Sequence, residues 1–366
     1  MKQVGAVIAA AGLSSRMGDF KPLLPFGKAC IAHHLVEMLK QAGVSPIVMV
    51  TGYRGEELEE ALKDSGILFV RNQNYTSTEM LDSVKLGFSV IRENCDAALV
   101  MPVDVPAVTG ATVRKIVEAQ GAIVRTKCGN RRGHPVKLDA AAMDAVQVYQ
   151  GEYGLKGFVK AREEQILDIE VSDEGSFLDA DTKEEYGRLL QLEGSRGQGY
   201  PDGETLRWLL EISKMPEHLR RHSEAVSRKA LSMAVELQST GRMLDLNLIR
   251  SAALLHDIGK GHPDHAAAGA SFLQENGYGR AAEIVRQHHR LDQIPKQADE
   301  TLIVYLADKM IQGDREVSIE ERFEGSRQKC QHSREAMKSH QEKYLQAQKA
   351  WRIWAVSYTH LRAHET

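Results

Sequence analysis

Residues 4–25 read VGAVIAAAGLSSRMGDFKPLLP, and this stretch decides the fold. Val4 to Ala9 form a short apolar run without helical spacing, the pattern of a strand buried on both faces. A loop of small residues follows at once, Ala9 to Gly18, and passes into DFKPLLP, Asp19 to Pro25. Such a loop at the carboxyl end of a parallel strand exposes backbone N–H groups, which suits an anion. Arg16 and Lys21 set two cations beside it, able to neutralise a triphosphate and a departing pyrophosphate. The loop is neither G-x-x-x-x-G-K-[ST] nor G-x-G-x-x-G. Its glycines alone would read as an ordinary turn with solvated cations; the whole string is more specific.

Outward from this stretch, short apolar runs alternate with helix-period segments. Runs at 46–52, 67–70, 96–104 and 121–126 read as further strands, with 134–138 and 166–171 added later. Between them 30–42, 55–64, 79–92 and 109–119 carry apolar residues at i, i+3, i+4 spacing, and 182–192 reads as a closing helix. This alternation predicts a mostly parallel α/β sheet, helices on both faces, joined by right-handed crossovers. GSRGQGYPDG (194–203) then reads as a linker. Beyond it only helical periodicity appears, at 204–213, 218–238, 246–256, 265–276, 279–289, 300–312 and 316–350, which predicts an all-α second domain. The expected domains are 1–193 and 204–325, followed by a polar helix over 326–355 that covers the core, meets a partner or is simply solvated. Trp351 and Trp354 add apolar surface there and receive no role.

Composition agrees with this division. At roughly 150 residues per domain, 366 residues predict two domains, each with room for an ordinary core. A net charge of −3 lacks the basic excess of a general nucleic-acid or anionic-membrane binder. Four scattered cysteines without a C-x-x-C pair suit reduced thiols in a cytoplasm. Lys2 before an apolar stretch resembles a secretory leader, but the stretch is short and runs into a polar loop, as a first strand would. VSYTHLRAHET (356–366) breaks abruptly from the preceding helix and reads as the translation of a transposase-type sequencing adapter, so the gene's own sequence is expected to depart near Ala355.

Further pieces fall in order behind the loop. MPVDVP (Met101 to Pro106) ends a strand with Asp104, RGHP spans Arg132 to Pro135, GEYGLK spans Gly151 to Lys156, and LDADT spans Leu178 to Thr182. Together with AAAGLSSRMGDFKPLLP they resemble the MobA-like nucleotidyltransferases, in particular the molybdenum cofactor cytidylyltransferase branch, over residues 1–192. Leu155 and Lys156 depart from that family's Ala and Arg, Lys183 stands where Pro is usual, and TEMLDSV (Thr78 to Val84) replaces its G-M-S-S-S-L segment. The resemblance implies a Rossmann-like nucleotidyltransferase domain. Ala10, Ala11, Gly12, Leu13, Ser14, Arg16, Lys21 and Asp104 would then bind nucleotide, and Gly133, His134 and Pro135 would lie near the acceptor. Asp104 with Asp179 or Asp181 would hold Mg²⁺, which bridges phosphate oxygens as pyrophosphate departs. Leu23, Leu24 and Pro25 favour the CTP branch over the GTP branch.

A second constellation lies downstream. Seven of the fourteen histidines fall between residues 218 and 289. His222 shares a helix face with Val226, Ala230 and Met233, and Asp308 lies three or four residues from Val304 and Ile311, so both point inward. An unpaired inward carboxylate is costly, and a metal shared with inward histidines removes that cost. With HDIGK (His256 to Lys260), these residues resemble the HD metal-dependent phosphohydrolases over 204–325. By that resemblance His222, His256, Asp257 and Asp308 hold one divalent ion. His265 and His288, with His289 a further candidate, hold a second; Asp257 bridges, and Lys260 lies near a substrate phosphate. His262, closer to a loop, is left out. Nitrogen and oxygen donors suit Mn²⁺, Fe, Ni²⁺ or Mg²⁺.

The expected whole is a bifunctional cytoplasmic enzyme. It transfers CMP from CTP to molybdopterin-type cofactor and hydrolyses a phosphoester, with molybdoenzyme maturation proteins as candidate partners and neither nucleic acid nor membrane. A guanylyltransferase, or a sugar-phosphate nucleotidyltransferase whose HD domain senses a nucleotide, is the alternative.

Overall fold

The structure, a computed structural model, describes residues 3–13 and 17–362. It divides into two compact units, Met1–Gly194 and Ser195–Thr366.

The first unit runs β1 (Val4–Ala10), a ribbon of β2 (Pro25–Phe26) and β3 (Ala29–Cys30), α1 (Ile31–Gln41), β4 (Ile47–Thr51), α2 (Gly55–Ala61), β5 (Leu68–Arg71), α3 (Met80–Ile91) and β6 (Ala97–Pro102). It continues through α4 (Gly110–Glu118), β7 (Ile123–Cys128), β8 (Arg131–Asp139), α5 (Ala140–Val148), α6 (Gly154–Lys160), β9 (Ile166–Glu170) and α7 (Lys183–Gln198). The seven-stranded sheet has the order β5-β4-β1-β6-β8-β7-β9. Only β8 is antiparallel to its neighbours. Alternation along β1 explains how it is covered on both sides. Ala6, Ile8 and Ala10 pack with Leu35, Leu39, Val113 and Ile116 of α1 and α4, whereas Val7 packs with Val84 and Phe88 of α3. The strand order reverses between β1 and β6, so a crevice opens at their carboxyl ends.

Two helices, α5 and α6, stand where no element is expected. Asp139 caps α5 by accepting from the Ala142 N–H at 2.8 Å, and the alanine-rich segment needs to bury only Ala142, Met143 and Val146. Its apolar stripe is too short to show a period. The expected linker at 194–203 is also corrected, because α7 continues through Gln198. Gly194 and Gly197 meet no neighbouring atom that a side chain would strike, while the Ser195 hydroxyl donates to Asp202 at 2.6 Å and Arg196 Nε to the Asn276 carbonyl at 3.1 Å. Tertiary hydrogen bonds override weak helix propensity there.

The second unit contains α8 (Gly203–Ile212), α9 (Glu217–Gln238), α10 (Leu246–Leu255), α11 (His265–Glu275), α12 (Gly279–Gln287), α13 (Glu300–Lys309), a hairpin of β10 (Ile311–Gln312) and β11 (Arg315–Glu316), α14 (Ile319–Cys330) and α15 (Arg334–Arg362). The unit is helical, as expected, with one short hairpin added between α13 and α14. The continuous helix expected over 316–350 is instead two helices: the Ser333 hydroxyl accepts from the Ala336 N–H at 3.2 Å and starts α15 anew. The expected boundary at 325/326 therefore falls inside α14. Ala347, Ala350 and Trp354 of α15 are buried in the core of this unit, and Trp354 Nε1 donates to the Met233 carbonyl at 3.4 Å. The run at 356–366 is helical as far as Arg362, and its last four residues lie outside the described ones. Among the described residues no helix is long and apolar enough to cross a membrane.

Candidate functional site

A cavity of about 220 Å³ occupies the crevice of the first unit, lined by Ala9, Ala10, Ala11 and Gly12 after β1 and by Pro102, Val103 and Asp104 after β6. Lys21 reaches it from a short 3-10 turn with Pro22 in its first turn. Lys21 is buried, and a buried ammonium requires partners. Its Nζ lies 3.5 Å from Asp104 Oδ2 and in close contact with Asp181 Oδ1. The segment carrying Asp181 is held in place by the Ala180 N–H, which donates to the Asp104 carbonyl at 2.8 Å. Burial pushes the Asp104 carboxyl above its usual range; Lys21 opposes this and Asp181 adds to it. Burial raises Asp179 as well, with further repulsion from Asp181, Glu185 and Asp104. Among the described residues, Asp104, Asp179 and Asp181 thus stand against Lys21 at the mouth of the cavity. An added cation carried in with a polyphosphate fits that imbalance.

The opposite wall is formed by Asn72, Tyr75, Thr78, Glu79, Met80 and Ser83. Four of these, Thr78, Glu79, Met80 and Ser83, come from the TEMLDSV segment singled out in the sequence. Glu79 and Asp82 cap α3 reciprocally, which fixes where that wall stands. Asn72, almost fully buried, donates to Thr78 Oγ1 at 2.9 Å and Ser83 Oγ at 3.2 Å. The sequence reading missed Asn72 and Tyr75; a polar pair closing a strand is their only local signal. Leu13 is half-exposed and outside the cavity lining, while Ser14 and Arg16 lie outside the described residues. Gly133, His134 and Pro135 of β8 do not line it either. A Cβ on Gly133 would come within 2.2 Å of the Ser176 carbonyl oxygen, so only glycine fits. His134 Nδ1 is enclosed without a hydrogen-bond partner, and burial brings this imidazole down to about 4.

The second unit draws its histidines together. His222 lies on α9, His256 at the end of α10, His265 at the start of α11, His288 at the end of α12, and Asp308 on α13. Each of three imidazoles is oriented through Nδ1 by a backbone carbonyl: His222 by Gly313 at 2.7 Å, His256 by Ala253 at 2.8 Å and His288 by Val285 at 2.6 Å. With Nδ1 donating, the Nε2 atoms of His256 and His288 carry a lone pair toward the centre, whereas His222 Nε2 faces the Asp308 carboxylate. The Nε2 atoms of His256 and His288 are buried and have no hydrogen-bond partner. They face Asp257 at 3.8 and 3.7 Å, and His256 also faces Asp308 at 3.7 Å. His222 stands 3.3 Å from Asp308, and His265 3.4 Å from Asp257. Ligands about 2.1 Å from one metal stand roughly 3.0–3.4 Å apart, close to these spacings.

Two donor groups result: His222, His256 and Asp257, and then Asp257, His265, His288 and His289. Asp257 belongs to both. This is the donor set of a divalent-metal centre, with no sulfur in it. Burial pushes the His256 imidazole below its usual range, and brings His288 to about 2 and His289 to about 3. Burial works against Asp308, yet Lys309 and His222 keep its carboxyl well below the usual range. Lys309 Nζ donates to Asp308 Oδ2 at 2.7 Å and to the His288 carbonyl at 2.9 Å. Lys260 Nζ stands 3.3 Å from both Asp257 oxygens. The glycine of HDIGK is required where it stands, since a Cβ on Gly259 would come within 2.3 Å of the His265 carbonyl oxygen. Neither Lys309 nor the Gly313 carbonyl was foreseen. Gly313-Asp314 between two short runs does signal a two-residue hairpin turn.

Similarity to known proteins follows the same division. Residues 6–166 match the MobA-like NTP transferase domain and residues 219–311 match the HD domain. A molybdenum cofactor cytidylyltransferase of Escherichia coli (strain K12) is 35% identical over 152 residues, 40% of this chain and 76% of that protein. A nicotine blue oxidoreductase of Paenarthrobacter nicotinovorans is 27% identical over 198 residues, 51% of this chain and 96% of that protein. The solved structure of a nucleotidyl transferase from Methanothermobacter thermautotroptrophicus is 25% identical and covers 52% of this chain and 97% of its own, with a TM-score of 0.47.

Proposed function

Because the chain belongs to the MobA-like NTP transferases and carries an HD domain behind that domain, we propose that it transfers CMP from CTP to a molybdopterin-type cofactor and hydrolyses a phosphoester at the HD centre. The observation that carries the first half is Lys21 held between Asp104 and Asp181 at the mouth of the β1–β6 cavity. In this reading backbone N–H groups at Ala10–Gly12 receive the triphosphate, and Lys21 with Arg16 neutralises the departing pyrophosphate. The acceptor phosphate oxygen attacks the α-phosphorus in line, the bond to pyrophosphate breaks, and no side-chain nucleophile takes part. Asp104 with Asp179 or Asp181 would hold Mg²⁺, which would supply electrostatic stabilisation of the charge on the phosphate oxygens. The wall at Thr78–Ser83 is placed to read the base or the acceptor, and Gly133–Pro135 belong to the acceptor side.

At the HD centre His222, His256, Asp257 and Asp308, with His265 and His288 around a second position, would hold one or two of Mn²⁺, Fe, Ni²⁺ or Mg²⁺. A bound divalent ion supplies hydroxide at neutral pH by lowering the pKa of its water. Lys260 meets the phosphate, and the carbonyls behind His222, His256 and His288 keep the donors aligned.

The decisive experiment is pyrophosphate release with Mg²⁺ and each of CTP, GTP, ATP and UTP, with and without isolated molybdenum cofactor. Release from CTP only when cofactor is present is the expected result. Release from GTP alone would move the protein to guanylyl transfer. Release only with sugar phosphates would replace the acceptor.

A further inference from the structure

We propose that the α14–α15 hairpin, beyond the segment that matches the HD domain, builds the binding pocket for an organic phosphate and delivers it to the His289 side of the metal centre. This inference rests on the phosphoester-hydrolysis reading and extends it to the ligand's charge and to the residues that select it.

A cavity of about 530 Å³ lies between this hairpin and the HD core, within the size range of small-ligand sites. His289 and Lys309 form one end of it, and both belong to the metal centre's own wall. The other end is supplied by Arg322, Phe323, His340 and Lys343. No aspartate or glutamate lines the cavity. Lys309 is engaged by Asp308, and His340 Nε2 is engaged by Ser326 Oγ at 2.8 Å and the Phe323 carbonyl at 2.9 Å. Arg322 and Lys343 form no ion pair among the described residues, although acidic side chains abound on both helices. Cations set around a concave, acid-free space that leads to a metal centre favour a multiply charged anion.

The body of the ligand is constrained as well. Phe323 is buried, with its ring 5.5 Å from His340 and 5.2 Å from Tyr344, centroid to centroid, so it forms a fixed apolar wall beside Cys330 and Ala336. Gly325 lies inside α14, where alanine would favour the helix. A Cβ there would meet nothing nearer than Gln312 Nε2 at 4.0 Å, so glycine is not demanded by packing and its effect is to keep the space open. The ligand is therefore a phosphate ester with a planar or apolar body, its phosphate at the Lys309–His289 end and the remaining charge met by Arg322 and Lys343.

The test uses the full chain in a Lys21→Ala background, so that the first unit's cavity does not report, with adenosine 5′-monophosphate as probe. Calorimetry in excess chelator measures binding without metal. Binding of the monophosphate at least tenfold tighter than adenosine is expected. Arg322→Glu and Lys343→Glu should each weaken it about tenfold, and Gly325→Leu, which favours the helix, should abolish it while Mn²⁺ loading measured by electron paramagnetic resonance stays unchanged. No binding of the probe, or unchanged binding in all three variants, would overturn the proposal. If the probe binds and the variants lose it, yet the Mn²⁺-loaded protein releases phosphate from no phosphoester, the pocket stands and the hydrolysis reading falls.

Discussion

The first unit meets its cavity with a lysine already seated between two aspartates; the second gathers five histidines and two aspartates around one centre. Both arrangements concentrate charge in partly dry surroundings, and they differ in the source of the compensating cation. Lys21 is part of the chain, so the first cavity tolerates its acids while it waits for a polyphosphate. At the HD centre Lys309 pairs with Asp308 and Lys260 with Asp257, yet the buried Nε2 atoms of His256 and His288 are left for something with empty orbitals. A site completed by substrate can stay open at the carboxyl ends of the strands. One completed by a resident ion has to be enclosed, and here helix ends aim each imidazole.

The comparison can be broken most forcefully at Asp257, the carboxylate shared by both donor groups. Asp257→Ala should lower Mn²⁺-dependent phosphate release by about 10³-fold or more while pyrophosphate release by the first unit is retained. Loss of both activities together would mean that the two sites do not work independently. Next in size, Asp104→Asn and Lys21→Met should each reduce pyrophosphate release by about 10²–10³-fold, the loss typical of one electrostatic contact to a developing anion, without changing the Mn²⁺ content of the HD centre. Smaller again, Lys309→Met removes a residue that positions Asp308 and the His288 backbone. It should weaken Mn²⁺ affinity about 10–100-fold in a chelator competition, with the pH profile of phosphate release shifted rather than abolished.

The smallest effect concerns His134 and sharpens the comparison through pH. Its imidazole is brought to about 4 by burial, so the unfolded chain takes up a proton first as pH falls below 6.5. Stability is therefore full above about pH 6.5 and lost as pH drops toward 4. Between pH 7 and 5 the loss is about 2 kcal/mol, for a ring enclosed on the Nδ1 side. Thermal unfolding of His134→Gln should show a shallower decline of Tm over that range than the unsubstituted chain. Parallel curves would mean that His134 stays solvated.

Much of this was readable along the chain because its signals are local. A strand, a small-residue loop and a lysine within 22 residues place the first cavity, and HDIGK with inward His222 and Asp308 places the second centre. What escaped was non-local or short. Asn72 and Tyr75 reach the cavity only because β5 lies two strands from β1 in the finished sheet. α5 buries three side chains, too few to show a period, and the break at Gln331–Ser333 rests on one hydroxyl cap inside an otherwise helical pattern.

The sequence by itself determined the two-part α/β and helical architecture and the residue types that carry each chemistry, because hydrophobic period and motif spacing are properties of neighbouring residues. Only the tertiary structure decided that Lys21 joins Asp104 to Asp181, that Gly313 aims His222, and that the last two helices wall a basic cavity beside His289. Those pairings span between 83 and 160 positions where hydrogen bonds record them, and burial makes each one costly to leave unmade.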